Sequence, residues 1–251
     1  MSVRSHGEAV NLITMLKVYS RRLGDALLPP RCTLCGCDTP DALLCTACSA
    51  DLPWNTPACP GCALPSTGHA PCPACLKRPR AFDAAFAAFV LAPPVQQGIH
   101  ALKYQARFQQ AALLSAAAAS ALRQRDEPLP DLLLPVPLHW RRQWWRGYNQ
   151  SLELACGLGR ALGLPVDATA ARRLRHTADQ IGQTAAERRR NLKGAFAVSP
   201  SVAGRHVALI DDVMTTGATL EELARACKAA GAARVEAWAV ARQPLLQSAA
   251  G

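Results

Sequence analysis

Val207-Ala208-Leu209-Ile210-Asp211-Asp212-Val213-Met214-Thr215-Thr216-Gly217-Ala218-Thr219-Leu220 is the stretch of this sequence that decides its fold. Val207 to Ile210 reads as a short, fully apolar strand, which a sheet covered on both faces requires. The strand delivers two adjacent carboxylates to the sheet edge, where they can hold ribose hydroxyls directly or through a hard cation such as Mg²⁺. Thr215 to Thr219 then turns into a helix, so backbone N–H groups and hydroxyls converge on a point suited to a phosphate, and Gly217 permits close backbone approach. An N-capped helix after a buried strand would account for the threonines, but not for two acids at the strand end.

The flanking sequence continues the pattern. Ala84 to Leu91 reads as a strand, Val95 to Tyr104 and Gln109 to Arg123 as helices, and Asp131 to Val136 as a buried strand ending at Pro137. Asn149 to Leu162 reads as a helix stopped by Gly163, Thr216 to Ala230 as a helix closed by Gly231, and Val235 to Val240 as a last strand. Strands alternating with helices predict an α/β fold with a parallel sheet and ligands at the carboxyl ends of its strands. Gly157-Leu158-Gly159-Arg160-Ala161-Leu162-Gly163 misses the dinucleotide fingerprint by one position and falls within a helix, so its glycines read as packing residues. The sequence has no Walker A motif, no H-E-x-x-H and no G-x-S-x-G.

The acids followed by T-T-G-A-T resemble the ribose-5-phosphate signature of the type I phosphoribosyltransferases, which bind phosphoribosyl pyrophosphate (PRPP). The resemblance implies that Asp211 and Asp212 hold the ribose hydroxyls, with Mg²⁺ accompanying PRPP, and that Thr215, Thr216, Gly217, Ala218 and Thr219 cradle the 5′-phosphate. It further implies a pyrophosphate loop after an earlier core strand. Leu138-His139-Trp140-Arg141-Arg142 occupies that place, making His139, Arg141 and Arg142 the candidates.

Nine of the 11 cysteines lie between Cys32 and Cys75. Cys32/Cys35, Cys45/Cys48, Cys59/Cys62 and Cys72/Cys75 are C-x-x-C pairs, and the second two pairs repeat the first two at a displacement of 27 residues. Two such knuckles close a tetrahedral site, so these eight thiols predict two structural zinc ions with no coordination position left for substrate. So short a segment has little core, and the metal would supply its folding energy. Disulfides are the alternative that a reducing compartment disfavours, and iron–sulfur ligation is another. Cys37 has Leu64 at its repeat position and is left outside the site, although it could substitute for Cys35. Cys156 and Cys227 fall on apolar helical patterns and read as buried small hydrophobes. The expected organisation is an N-terminal helical segment over 1–30, a double zinc ribbon over 31–80 and the α/β domain over 81–251.

Half of the residues are hydrophobic, which excludes disorder as the main state. Ala111 to Leu122, the longest small-and-apolar run, is too short to cross a bilayer, and the charges scattered over Met1 to Pro30 do not resemble a secretory signal. A cytoplasmic protein is expected. The formal net charge is +10, and Val136 to His206 carries 12 Lys and Arg against 4 Asp and Glu. Such a concentration suits a polyanion, either a diphosphate or a nucleic-acid backbone. Within it, Trp140, Trp144, Trp145 and Tyr148 alternate with Arg141, Arg142 and Arg146. Rings that stack on bases beside cations that meet phosphates are the ingredients of a single-strand binding groove, and bracing of the pyrophosphate loop is the competing role.

Pro135-Val136-Pro137-Leu138, then Arg146-Gly147-Tyr148-Asn149-Gln150, then Gln180 with 187–196, resemble the ComF family of competence proteins. That family joins an N-terminal zinc module to a phosphoribosyltransferase-like domain and is associated with uptake of transforming DNA. The resemblance covers about residues 30–243. It implies PRPP or a related ribose phosphate as ligand and single-stranded DNA and a DNA-uptake helicase as partners, while the short apolar runs noted above predict no membrane insertion. Active transfer of ribose 5-phosphate to a base in nucleotide salvage is the alternative, although no base-reading set is identifiable. Lys103-Tyr104 matches a family Lys-Tyr pair by position and equally fits an ordinary helix surface.

Overall fold

The structure, a computed structural model, describes residues 31–39, 43–174 and 192–244, with the side chains of Arg141 and Arg142 excepted. Gln180 and the 187–191 stretch of the family motif lie outside the described residues. Contacts divide the chain into two compact units, Met1–Asp51 and Leu52–Gly251, so the division falls between the two cysteine repeats.

In the first unit, Cys32 N–H donates to Cys37 O at 2.7 Å and Gly36 N–H to Cys32 O at 2.9 Å, while Arg31 and Asp38 form an antiparallel bridge. Gly36 closes this knuckle at φ +75°, a region that favours glycine. A short helix follows, α1 (Thr46–Ala50), capped by Cys45, whose sulfur accepts from Cys48 N–H at 3.4 Å. The second unit opens with the same device 27 residues on. Cys59 N–H donates to Leu64 O at 2.9 Å, Ala63 N–H donates to Cys59 O at 2.7 Å, and Ala58 bridges Pro65. Its helix is α2 (Pro73–Lys77). The repeat in sequence is therefore a repeat in backbone hydrogen bonding, with Ala63 taking the left-handed position of Gly36 at φ +54°.

The rest of the second unit runs β1 (Ala84–Val90), α3 (Val95–Gln105), α4 (Phe108–Arg123), β2 (Leu132–Pro135), α5 (Trp140–Arg146), α6 (Gln150–Leu162), β3 (Ala171–Arg173), β4 (Phe196–Val198), β5 (His206–Met214), α7 (Ala218–Ala229) and β6 (Arg234–Arg242). Four strands form one sheet in the order β1-β6-β5-β2, all parallel, as the fully apolar strands predict. Leu209, Val235 and Ala237 of the sheet form one core with Leu220, Leu223 and Ala224 of α7. Helix α6 packs on β2 and β5 and crosses α4 closely, at Gly157. The edge strand β1 is covered by the second cysteine unit: Val90 N–H donates to Pro53 O at 2.8 Å, Asn55 N–H to Ala88 O at 2.9 Å and Ala85 N–H to Pro60 O at 2.7 Å. Backbone groups that an open edge would leave unpaired are thus satisfied. The fold is a parallel-sheet α/β fold, with β3 and β4 as a separate antiparallel pair. No helix among the described residues is long and apolar enough to cross a membrane.

Candidate functional site

Strand β5 continues past Ile210 to Met214, so the two acids stand inside the strand and not beyond its end, with Asp211 in register with Ala239 of β6. Asp211 accepts from the hydroxyl of Ser151 at 3.1 Å and from Asp212 N–H at 2.9 Å. Asp212 is buried and accepts from Val213 N–H at 2.8 Å through Oδ1. Its Oδ2 lies 2.6 Å from the ammonium of Lys103, a close ion pair set off the hydrogen-bond direction. Lys103, on the last turn of α3, is therefore not an ordinary helix-surface lysine. Asp211 is hemmed in by neighbouring atoms while keeping part of its surface accessible, and that burial, with the charge of Asp212 next to it, raises its carboxyl to about 7. Lys103, the Asp212 N–H and Ser151 act the other way.

The loop after β5 contains Thr215, exposed, and Thr216, half-buried, and Gly217 caps α7 at φ +76°. A Cβ there would meet only Met214, at ordinary distances of 3.7 and 3.8 Å, so the backbone turn itself favours glycine. Thr216 Oγ1 accepts from Ala218 N–H at 3.3 Å, which aims the first turn of the twelve-residue α7. Two carboxylates and a helix N-terminus thus share one sheet edge, the donor and acceptor set that a phosphorylated sugar needs.

The segment after β2 leaves the sheet beside the acids, where Val136 N–H donates to Ile210 O at 2.9 Å, and returns at Ser151. Between these points His139 is buried with its ring 5.5 Å from Trp140, and residues 140–146 form helix α5 where the sequence predicted a loop. Arg141 and Arg142 lie on this helix, their side chains outside the described set. Trp140, Trp144 and Trp145 are 65%, 85% and 73% exposed. Next to them, the Arg146 guanidinium sits 5.5 Å from the Tyr104 ring, Tyr104 lies 4.7 Å from His100, and Tyr148 lies 4.9 Å from Phe108. Tyr148 Oη donates to Leu102 O. His100 and Phe108 join the predicted aromatics only through the folding of α3 and α4, and Ser151 joins the acids only through α6. No spacing in the sequence signals these meetings.

The cysteines form two groups, each with its sulfurs within 4.8 Å of one another: Cys32, Cys35, Cys37 and Cys45, and Cys59, Cys62, Cys72 and Cys75. Sulfurs around a tetrahedral zinc at about 2.3 Å are about 3.8 Å apart. Cys35 and Cys45 are 3.7 Å apart, as are Cys62 and Cys72, far longer than a disulfide. The donor set and spacing fit zinc. In the first group Cys37 stands where the repeat placed Cys48, whose thiol also meets Cys35, Cys45 and Cys32. Five thiols therefore converge there. N–H donation from Cys35 leads in holding the Cys32 thiol down to about 6, while the neighbouring thiols of Cys35 and Cys45 push that of Cys37 up to about 12.

A double zinc ribbon domain model matches residues 23–76, and a phosphoribosyl transferase domain model matches residues 149–247. The "DNA utilization protein YhgH" of Escherichia coli K12 is 39% identical over 224 residues, spanning 86% of this chain and 98% of that protein. "Competence protein F" of Haemophilus influenzae is 35% identical over 207 residues, 79% of this chain and 90% of that protein. The chain belongs to the ComF family. A purine phosphoribosyltransferase from Pyrococcus horikoshii overlaps 51% of this ComF chain and 79% of its own at 19% identity and a TM-score of 0.33. The two cysteine tetrads of this double zinc ribbon support two zinc ions per ComF chain.

Proposed function

We propose that this ComF-family chain binds PRPP, or a related ribose phosphate, at the edge formed by Asp211, Asp212 and the Thr215 to Thr219 loop, and acts in the cytoplasm in DNA uptake. The observation that carries the ligand is the carboxylate pair beside the Gly217 turn on one strand end. The N-terminus of α7 would hold the 5′-phosphate, Asp211 and Asp212 the ribose hydroxyls, and His139, Arg141 and Arg142 the diphosphate, whose charge a bound Mg²⁺ would help neutralise. Lys103 supplies a counter-charge to Asp212. The role in DNA uptake is drawn from the relatives named for competence and DNA utilization, and the exposed Trp140, Trp144 and Trp145 with Arg146 and Tyr148 supply a surface for single-stranded DNA handed on by a helicase.

Calorimetry with PRPP and Mg²⁺ tests this reading. Binding should be lost or weakened about tenfold or more on replacing Asp211 and Asp212 by Asn, since neutral amides are poor ligands for a hard cation. Thr216→Ala should weaken binding without altering its dependence on Mg²⁺. No heat from the unmodified chain would defeat the proposal. A second reading, transfer to a base, is favoured by the phosphoribosyl transferase domain match over residues 149–247. Release of pyrophosphate from PRPP in the presence of a purine or pyrimidine would establish it.

A further inference from the structure

A loop that offers its N–H groups to an anion must turn its carbonyls the other way, and buried carbonyls need donors. Here two arginines supply them. Met214 O accepts from Nη1 of Arg242 at 2.7 Å, Thr215 O accepts from the same nitrogen, and Thr216 O accepts from Nη1 of Arg80 at 3.4 Å. Arg242 is 2% exposed and has no carboxylate partner among the described residues. Its Nε donates instead to the carbonyl of Cys62 at 2.8 Å, in the second cysteine tetrad. Arg80 pairs with Glu221 on the first turn of α7 at 3.1 Å and also meets the thiol of Cys75, in the same tetrad. One guanidinium therefore joins the peptide of a zinc knuckle to the back of the phosphate loop, and a second spans a zinc-ligand sulfur and the same loop.

We propose that Arg242 and Arg80 are positioning residues that couple zinc occupancy of Cys59, Cys62, Cys72 and Cys75 to the anion affinity of the Thr215 to Thr219 loop. Zinc fixes the peptide at Cys62, Arg242 relays that position to the carbonyls of Met214 and Thr215, and the loop N–H groups are thereby held in an anion-binding arrangement. The coupling rests on the reading of this loop as a phosphate site. Its physical content is reciprocal: if zinc strengthens phosphate binding, phosphate must tighten zinc at that tetrad by the same factor.

The experiment uses the full chain loaded with two zinc ions and ribose 5-phosphate as probe. Calorimetry first establishes that the probe binds; a chromogenic chelator then titrates the zinc with and without saturating probe. One zinc per chain should become harder to remove by about fivefold or more while the other is unaffected. Arg242→Lys keeps the charge but loses the planar fork, and should bind ribose 5-phosphate more weakly and show no protection of zinc. Arg80→Gln, at a half-buried position, provides the same test with less disturbance to the core, and should reduce protection while both zinc ions remain bound without ligand. Binding of ribose 5-phosphate with both zinc affinities unchanged overturns the coupling. Absence of binding in the calorimeter overturns the phosphate site itself, and the coupling with it.

Discussion

Asp211 shows how a few neighbours set the chemistry of one residue. Burial and the adjacent Asp212 raise its carboxyl from the ordinary 3.8 to about 7, against the pull of Lys103 and Ser151. The folded state then holds a proton that the unfolded chain has already released above pH 4. The stability from this group is full below the ordinary carboxylate range and is lost as pH rises through about 7. Asp211→Asn should therefore stabilise the protein by a few kcal/mol more at pH 8 than at pH 3, because each unit of pKa difference is worth about 1.4 kcal/mol. Urea denaturation at the two pH values checks this, and an equal gain at both would show that charge is not the cause. On the proposed function, Mg²⁺-dependent PRPP binding should strengthen over the same range as the carboxylate forms.

Helix α6 carries the site because its two ends are tied down. Asn149 caps it, accepting from Ser151 N–H at 3.0 Å and donating through Nδ2 to Val136 O at 3.1 Å, so the first turn is fixed to the segment leaving β2. Gly163 ends it at φ +72°. Between these caps a Cβ at Gly157 would lie 2.0 Å from Ser115 Oγ and 2.7 Å from its Cβ, and one at Gly159 would lie 2.8 Å from Leu164 O. Gly157→Ala should cost about 1–3 kcal/mol, because α4 and α6 cannot separate without opening the core. Chemical denaturation measures this, and an unchanged midpoint would mean that the helices shift apart freely. These elements were legible in the sequence: the helix with its Gly163 stop, the apolar strands and the cysteine repeat all have periods that local chemistry enforces. Strands β3 and β4 were not, since three residues each give no alternation to read and the partners lie far apart in the chain. Nor was α5, whose tryptophans and arginines lack an apolar stripe. The Lys103 to Asp212 pair and the Arg242 bridge to Cys62 join residues far apart in the chain, so only the folded sheet brings them together.

At the scale of the whole molecule the charge is unevenly placed, with most of the excess of Lys and Arg, 12 against 4 Asp and Glu, on the segment from Val136 to His206. That segment starts beside Asp211 and presents tryptophans of α5 that are up to 85% exposed. Trp144 and Trp145, 85% and 73% exposed, run against the usual burial of aromatic side chains, and on the proposed function they form part of a contact surface. On the proposed function, single-stranded DNA would place its phosphates on the arginines and its bases on the rings. The two contributions separate in a titration with fluorescent single-stranded DNA at several salt concentrations. Affinity should fall steeply with salt, because each neutralised phosphate releases counterions. Trp144→Ala or Trp145→Ala should cost roughly 1–3 kcal/mol with little change in the salt slope. Arg141→Ala or Arg142→Ala should instead flatten the slope, by roughly one neutralised phosphate each. A helix that only braces the segment after β2 predicts a different result: no binding at moderate salt, or binding indifferent to both kinds of substitution, and either would remove DNA from the list of ligands while leaving the ribose phosphate site intact.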